Sequence, residues 1–270
     1  MLALGAATFN YLNQYSLEEA LDHLAECGFR SIELMSTPPH MFARNLDASQ
    51  RSALKKAIEQ RGLQLVSLQP TYYDLNIISV NPAIREESIR QIIENIELAG
   101  DLGAKILVLV TGRRHPLLPL PMQNAWSLAL DAIHRINEVA RKQGVIVGIE
   151  NVRNQFVDRG SDVRKMVEDS GDKNIRAVID VANANMVESP LYALEAVKEY
   201  LVLVHLSDND GQTWTHSPTG SGNIDFKNIL NKLEEIKYAG PCILEVTYDK
   251  DPKWAMEISR TKFQELGWRL

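Results

Sequence analysis

Cysteine is scarce in this chain: among 270 residues only Cys27 and Cys242 carry a thiol. Two cysteines cannot build a disulfide framework, so the fold is expected to rest on its buried core, as in a reduced, cytoplasmic protein. Long apolar runs are missing too, and none reaches the roughly 18 to 20 residues a membrane-spanning helix needs. The opening Met1-Leu-Ala-Leu-Gly-Ala6 has no basic region and passes straight into a strand-like pattern, which reads against a signal peptide. Positive charge is not in excess either. A net charge of −6 argues against a nucleic-acid footprint, which requires a basic face. No linker or low-complexity segment breaks the sequence, so one domain over residues 1–270 is expected. The remainder, 45% hydrophobic and 24% charged, is ordinary for a globular protein and leaves enzyme, binder and scaffold open.

What is present is a repeated punctuation: a helix-like stretch, a glycine, then a short apolar run. It occurs at Gly28, Gly62, Gly103, Gly144, Gly171 and Gly240. Glycine at such a place supplies the left-handed residue that closes a helix. The runs that follow are short, β-branched and almost continuously apolar, as in strands buried on both faces of a parallel sheet. Between them the period is helical. Ile89, Ile92, Ile93, Ile96, Ala99 and Leu102 share one stripe of residues 85–103, and Ser16 with Glu19 forms a capping-box pattern ahead of Leu17, Ala20, Leu21 and Leu24. Eight strands emerge, near 2–7, 31–35, 64–69, 105–111, 145–150, 175–180, 202–206 and 241–246, each followed by a helical segment. A doubly wound sheet would also accept βα repeats, but eight evenly spaced units of about 34 residues favour closure and predict an α/β fold, a single (β/α)₈ TIM barrel. The longest connections, 36–46, 70–81, 112–120 and 207–225, all follow strands, on the face where barrels build their sites.

Four late strands end in residues of metal-ligand type: Glu150, Asp180, His205 and Glu245. A charge at the end of a buried apolar strand costs several kcal/mol unless it is paired or coordinated. Singly, each could cap a helix or sit satisfied in the core. In phase at four consecutive strand ends they converge on one mouth and predict a hard, oxygen-rich site for one divalent ion. Mn²⁺ suits it best, and Mg²⁺, Co²⁺ or Zn²⁺ would also be accepted.

At these residues the chain resembles the xylose-isomerase-like family of sugar isomerases and epimerases, a barrel superfamily that also contains abasic-site endonucleases. The resemblance covers nearly the whole chain. It runs through Gly28-Phe-Arg-Ser-Ile-Glu33, Leu102-Gly-Ala104, Gly148-Ile-Glu-Asn151, Asp180-Val-Ala-Asn183, His205-Leu-Ser-Asp208-Asn209 and Gly220-Ser-Gly222-Asn-Ile-Asp225-Phe226. It implies that Glu150, Asp180, His205 and Glu245 bind one metal, and that Glu150 and Glu245 are also the catalytic acid/base pair on opposite faces of the substrate. A metal chelated by a ketose's carbonyl and neighbouring hydroxyl acidifies the adjacent C–H; one carboxylate removes that proton to give a metal-bound enediolate and the other returns one. The ketose 3-epimerase branch fits best. The resemblance also implies a small sugar as partner and a homo-oligomer, without nucleic acid or membrane.

The chain departs from the endonuclease pattern. Strand three ends in Gln69 and strand four in Thr111, with no early histidines, and an Asp-x-His pair is replaced by Trp214-Thr-His216, which predicts a one-metal site and no action on abasic DNA. Asn183 stands where the family often has histidine and is read as a hydrogen-bond partner for a sugar hydroxyl. His216, before the Gly220-x-Gly222 turn, is read as a substrate contact. Glu33 ends strand two in the position where the family faces a carboxylate into the pocket, unless it caps or pairs. Asp208 either orients a ligand or caps its turn. Arg113-Arg114-His115 is a solvated loop or a grip for a substrate phosphate or carboxylate. Phe9-Asn10 and Tyr72-Tyr73 are candidate pocket walls; His23 and His134 fall on helices away from the mouth. The expected function is a metal-dependent isomerase or epimerase of a ketose or keto-polyol. A dehydratase of inosose or dehydroshikimate type, or a silent sugar-binding barrel, would share the scaffold.

Overall fold

The computed structural model describes residues 2–70, 72 and 74–269. Eight strands, β1 (Leu4–Ala7), β2 (Ser31–Ser36), β3 (Gln64–Pro70), β4 (Ile106–Leu109), β5 (Ile146–Glu150), β6 (Ile175–Asp180), β7 (Leu201–Leu206) and β8 (Cys242–Leu244), pair in parallel in chain order. β1 closes on β8 through Leu4–Cys242, Gly5–Ile243 and Ala6–Leu244, so the sheet is a closed (β/α)₈ barrel, as the sequence pattern predicts. The fourth and eighth strands are shorter than their apolar runs. After Leu109 the ladder stops, and the chain runs through the buried Val110 and Thr111 to Gly112, whose φ is +93°. After Leu244 only the Glu245 N–H still reaches the neighbouring strand, donating to Leu206 O at 3.0 Å.

The crossovers are α1 (Leu17–Glu26), α2 (Ala48–Gln60), α3 (Pro82–Leu102), α4 (Met122–Gln143), α5 (Gly160–Ser170), α6 (Val181–Asn185), α7 (Pro190–Ala196), α8 (Phe226–Glu235) and α9 (Pro252–Glu265). The capping box on α1 forms in both directions: Glu19 N donates to Ser16 Oγ at 3.2 Å and Ser16 N donates to Glu19 Oε2 at 2.8 Å. The α3 stripe faces the sheet through Ile89, Ile92, Ile96, Ala99 and Leu102, with Ile93 half-buried at its edge. Five of the six punctuating glycines adopt positive φ; Gly240 does not. At the end of α8 it is Lys237, with φ 55°, that takes the left-handed place, and Tyr238 N closes the turn on Leu233 O at 2.8 Å.

Apolar side chains fill two shells. Ala7, Ile106, Val108, Val178, Leu203 and Ile243 plug the barrel interior, and a larger layer separates sheet from helices. His23 lies buried in that outer layer, where Tyr11 Oη bonds its Nδ1 at 2.8 Å and Glu257 its Nε2 at 3.1 Å, tying α1 to α9 away from the mouth. Cys27 packs beside it, and burial pushes its thiol up to about 11, so it stays protonated. His134 is likewise engaged on the flank, with Nε2 3.0 Å from Ser170 O. None of the described helices is long and apolar enough to cross a membrane.

Candidate active site

The interior plug stops short of the strands' C-terminal ends, and polar residues replace it there. Glu150 is the last residue of β5, Asp180 the last of β6, His205 the fifth of β7, and Glu245 follows β8. All four are buried, and one donor atom of each lies within 4.8 Å of the others. His205 Nδ1 stands 2.7 Å from Glu150 Oε1 and 3.4 Å from Glu245 Oε2. Parallel pairing explains the convergence, because Asp180 and His205 are opposite partners in the ladder between β6 and β7.

The charges here are far from neutral surroundings. Burial drives the Glu150 and Glu245 carboxyls above the usual carboxylate range, against the pull of His205. Burial also opposes charging of His205, but Glu33, Glu245 and Glu150 outweigh it and hold the imidazole well above the ordinary histidine range. Asp180 Oδ1 accepts from Asn183 N at 2.6 Å, while its Oδ2, like Glu150 Oε2, is buried with no hydrogen-bond partner. Lone pairs left so are costly unless a cation meets them. Three carboxylates and one imidazole with unspent oxygens form a donor set that fits a divalent cation.

A pocket of about 570 Å³ opens above this cluster and is lined by Glu150, Asn183, His216 and Glu245. Phe9, Asn10 and Tyr72 contribute walls, although the Asn10 amide is already spent on Pro252 O and Tyr248 N; Tyr73 lies outside the described residues. His216 sits beside the cluster, its Nδ1 3.5 Å from Glu245 Oε2 and 3.6 Å from Asp180 Oδ2. Asn183 accepts at Oδ1 from the indole N–H of Trp214, 2.8 Å away. Because an indole only donates, the amide oxygen must face Trp214 and the NH₂ group is left for the pocket.

A family model described as a xylose isomerase-like TIM barrel matches residues 21–264. The chain belongs to that family. An uncharacterised protein of Methanocaldococcus jannaschii, MJ1311, is 27% identical over 95% of this chain and 88% of its own. L-ribulose 3-epimerase of Mesorhizobium japonicum is 26% identical over 86% of this chain and 76% of its own. A crystal structure of a D-tagatose 3-epimerase-like protein superposes with a TM-score of 0.85 at 23% identity, covering 98% of both chains, a likeness of fold.

Two expected substrate contacts lie elsewhere in this member of the family. Glu33 does not line the pocket: it is wholly buried behind His205, with Oε2 3.2 Å from Nε2 and 2.7 Å from Ser67 Oγ. Asp208 turns away into its own loop, where Oδ2 accepts from Gly220 N (2.8 Å) and Gly222 N (3.0 Å) and Oδ1 from Ile224 N (3.2 Å). Gly222 is required there, since a Cβ would run into the backbone oxygen of Asn209. Of Arg113-Arg114-His115, only Arg113 reaches the pocket. The sequence reading passed over Asn154, Gln155, Thr247 and Tyr248, which also line it; their only sequence signal is a place in loops that follow strands.

Proposed function

We propose that this protein is a divalent-metal-dependent epimerase of a ketose or keto-polyol that moves a proton at the carbon next to the carbonyl. The observation that carries this reading is that Glu150 and Glu245 both line the pocket and both stand within 3.4 Å of the same nitrogen of His205. Glu150, Asp180, His205 and Glu245 would hold the ion, Mn²⁺ for preference, which when bound polarises the substrate carbonyl and acidifies the adjacent C–H. Glu150 comes from β5 and Glu245 from β8, so a substrate lying between them meets one carboxylate on each face. Burial favours the protonated form of both, which suits groups that must take a proton in one half-reaction and give one in the other. Asn183 offers N–H donors to a substrate oxygen, and His216 closes the side of the cluster formed by Asp180 and Glu245. The named activity of the Mesorhizobium relative, a ketose 3-epimerase, is of this kind.

The test is turnover of a ketose and keto-inositol panel with Mn²⁺ in D₂O, read by NMR. An epimerase acting through these carboxylates places solvent deuterium at the inverted carbon, whereas a dehydratase releases an unsaturated or rearranged ketone. Glu150→Gln and Glu245→Gln should each lose roughly 10²–10⁴-fold in turnover. Product without solvent label, or two unimpaired variants, would refute the two-glutamate mechanism.

A further inference from the structure

One wall of the pocket carries hydrogen-bond donors that the protein itself does not use. Among the described residues the Arg113 guanidinium makes no hydrogen bond or ion pair. Its neighbours differ: Arg114 Nε donates to Leu120 O at 2.7 Å, and His115 Nδ1 accepts from the Leu117 and Leu118 amides. Asn154 and Gln155, in the loop after β5, also line the pocket with side-chain amides that no group among the described residues engages.

These donors are presented from fastened backbone. Phe156 N donates to Gly112 O at 2.7 Å, which joins the loop after β5 to the loop after β4. Asn76 Nδ2 donates to Arg113 O at 2.9 Å. Gly112, at φ +93°, brings its α-carbon so close to Asn76 that a Cβ would strike the amide oxygen, so the turn before Arg113 requires glycine. Asn154 takes φ 64°, a left-handed conformation that asparagine adopts more readily than most residues.

Arg113 is the one Lys or Arg among the lining residues, and the carboxylates that share the pocket, Glu150, Glu245 and Asp249, are not its partners. Amides and a guanidinium can all donate to neutral sugar hydroxyls, but only the guanidinium adds a positive charge for an anionic oxygen to meet. An unpaired guanidinium in a pocket that two free amides also line, on loops joined by one backbone hydrogen bond, matches the oxygens of an oxyanion, which arginine takes bidentately. We propose that Arg113, Asn154 and Gln155 form a subsite for an anionic group, a phosphate or a carboxylate, carried by the substrate away from its reacting carbonyl. The substrate part of this inference rests on the epimerase reading; the anion preference is measured without turnover.

The test is calorimetric titration of the Mn²⁺-loaded protein and of Arg113→Gln with D-fructose, D-fructose 6-phosphate and D-fructuronate. The wild type should favour at least one anionic ligand over fructose by roughly tenfold or more, less so at high salt. The substitution should bring that ratio within about twofold. A phosphate-only or uronate-only preference identifies which anion the subsite takes. Equal affinities in the wild type, an unchanged ratio in the variant, or binding of none of the three overturns the subsite. Neutral ketoses epimerised without any anion preference would sink the subsite alone. Anion binding that depends on Arg113 without solvent exchange would sink the epimerase reading alone.

Discussion

Glu33 and His205 meet at 3.2 Å inside the barrel, although their strands, β2 and β7, do not pair with each other. A carboxylate can only accept, so His205 presents Nε2–H to Glu33 and turns Nδ1 toward Glu150 and Glu245. Such a partner fixes the ring and raises its basicity as a ligand.

Glu33→Gln should therefore weaken Mn²⁺ binding by about 10–100-fold while the far-ultraviolet circular dichroism stays that of the barrel. Titration calorimetry reads the affinity. An unchanged constant would mean that Ser67 and the packing around the ring suffice to aim it.

Metal binding should strengthen as pH rises. Burial raises the Glu150 and Glu245 carboxyls, and the surrounding carboxylates raise His205, so the folded site holds protons that the unfolded chain has already lost. With more protons on the folded state, the metal-free protein loses stability as pH climbs from about 5 to about 8, the opposite of an ordinary salt-bridged carboxylate. A cation must displace those protons. Titrations in buffers of different ionisation enthalpy should reveal proton release on Mn²⁺ binding, and melting curves should show the metal's stabilisation growing with pH. No proton release, or a falling affinity, would contradict this.

Asp208 anchors the loop that carries His216. Its two carboxylate oxygens serve three backbone N–H groups, and Asp208 N and O also pair with Ser217. Asp208→Asn keeps the size but replaces one acceptor by a donor facing N–H groups, at a cost of about 1.5–3 kcal/mol. The expected result is a lower melting temperature and faster proteolytic cleavage within residues 207–225, with metal still bound. A variant as resistant as the wild type would show that the loop is held by its other contacts.

The barrel and the four converging side chains were legible because both are written in period and phase. Strands buried on both faces announce themselves as apolar runs, and a charge closing such a run stands out: Glu150 after Val-Gly-Ile, Asp180 after Ala-Val-Ile. Direction was less legible. Glu33 does not end its strand as expected: it is the third residue of β2, with Leu34 and Met35 still paired beyond it, so its side chain lies below the mouth, behind His205. Asp208 and Arg113 both sit in loops after strands. Which of them reaches the pocket depends on backbone N–H groups supplied by Gly220, Gly222 and Ile224, far along the chain, that no periodicity encodes. Gly240 misled for a related reason, since the helix before it ends three residues earlier on Lys237.

Trp214 is 44% exposed, and of the four tryptophans it alone lines the pocket. Its indole N–H is bound to the amide of Asn183, the same group that offers its NH₂ to whatever enters. The fluorophore and the recognition element thus share one hydrogen bond; Trp126 and Trp268 sit away from the cavity, and Trp254 touches it only through the ring of Tyr248. The chain thus places an optical gauge on the wall of its own cavity: emission from the Trp214 indole should shift when the cavity fills, without any dye, label or coupled assay.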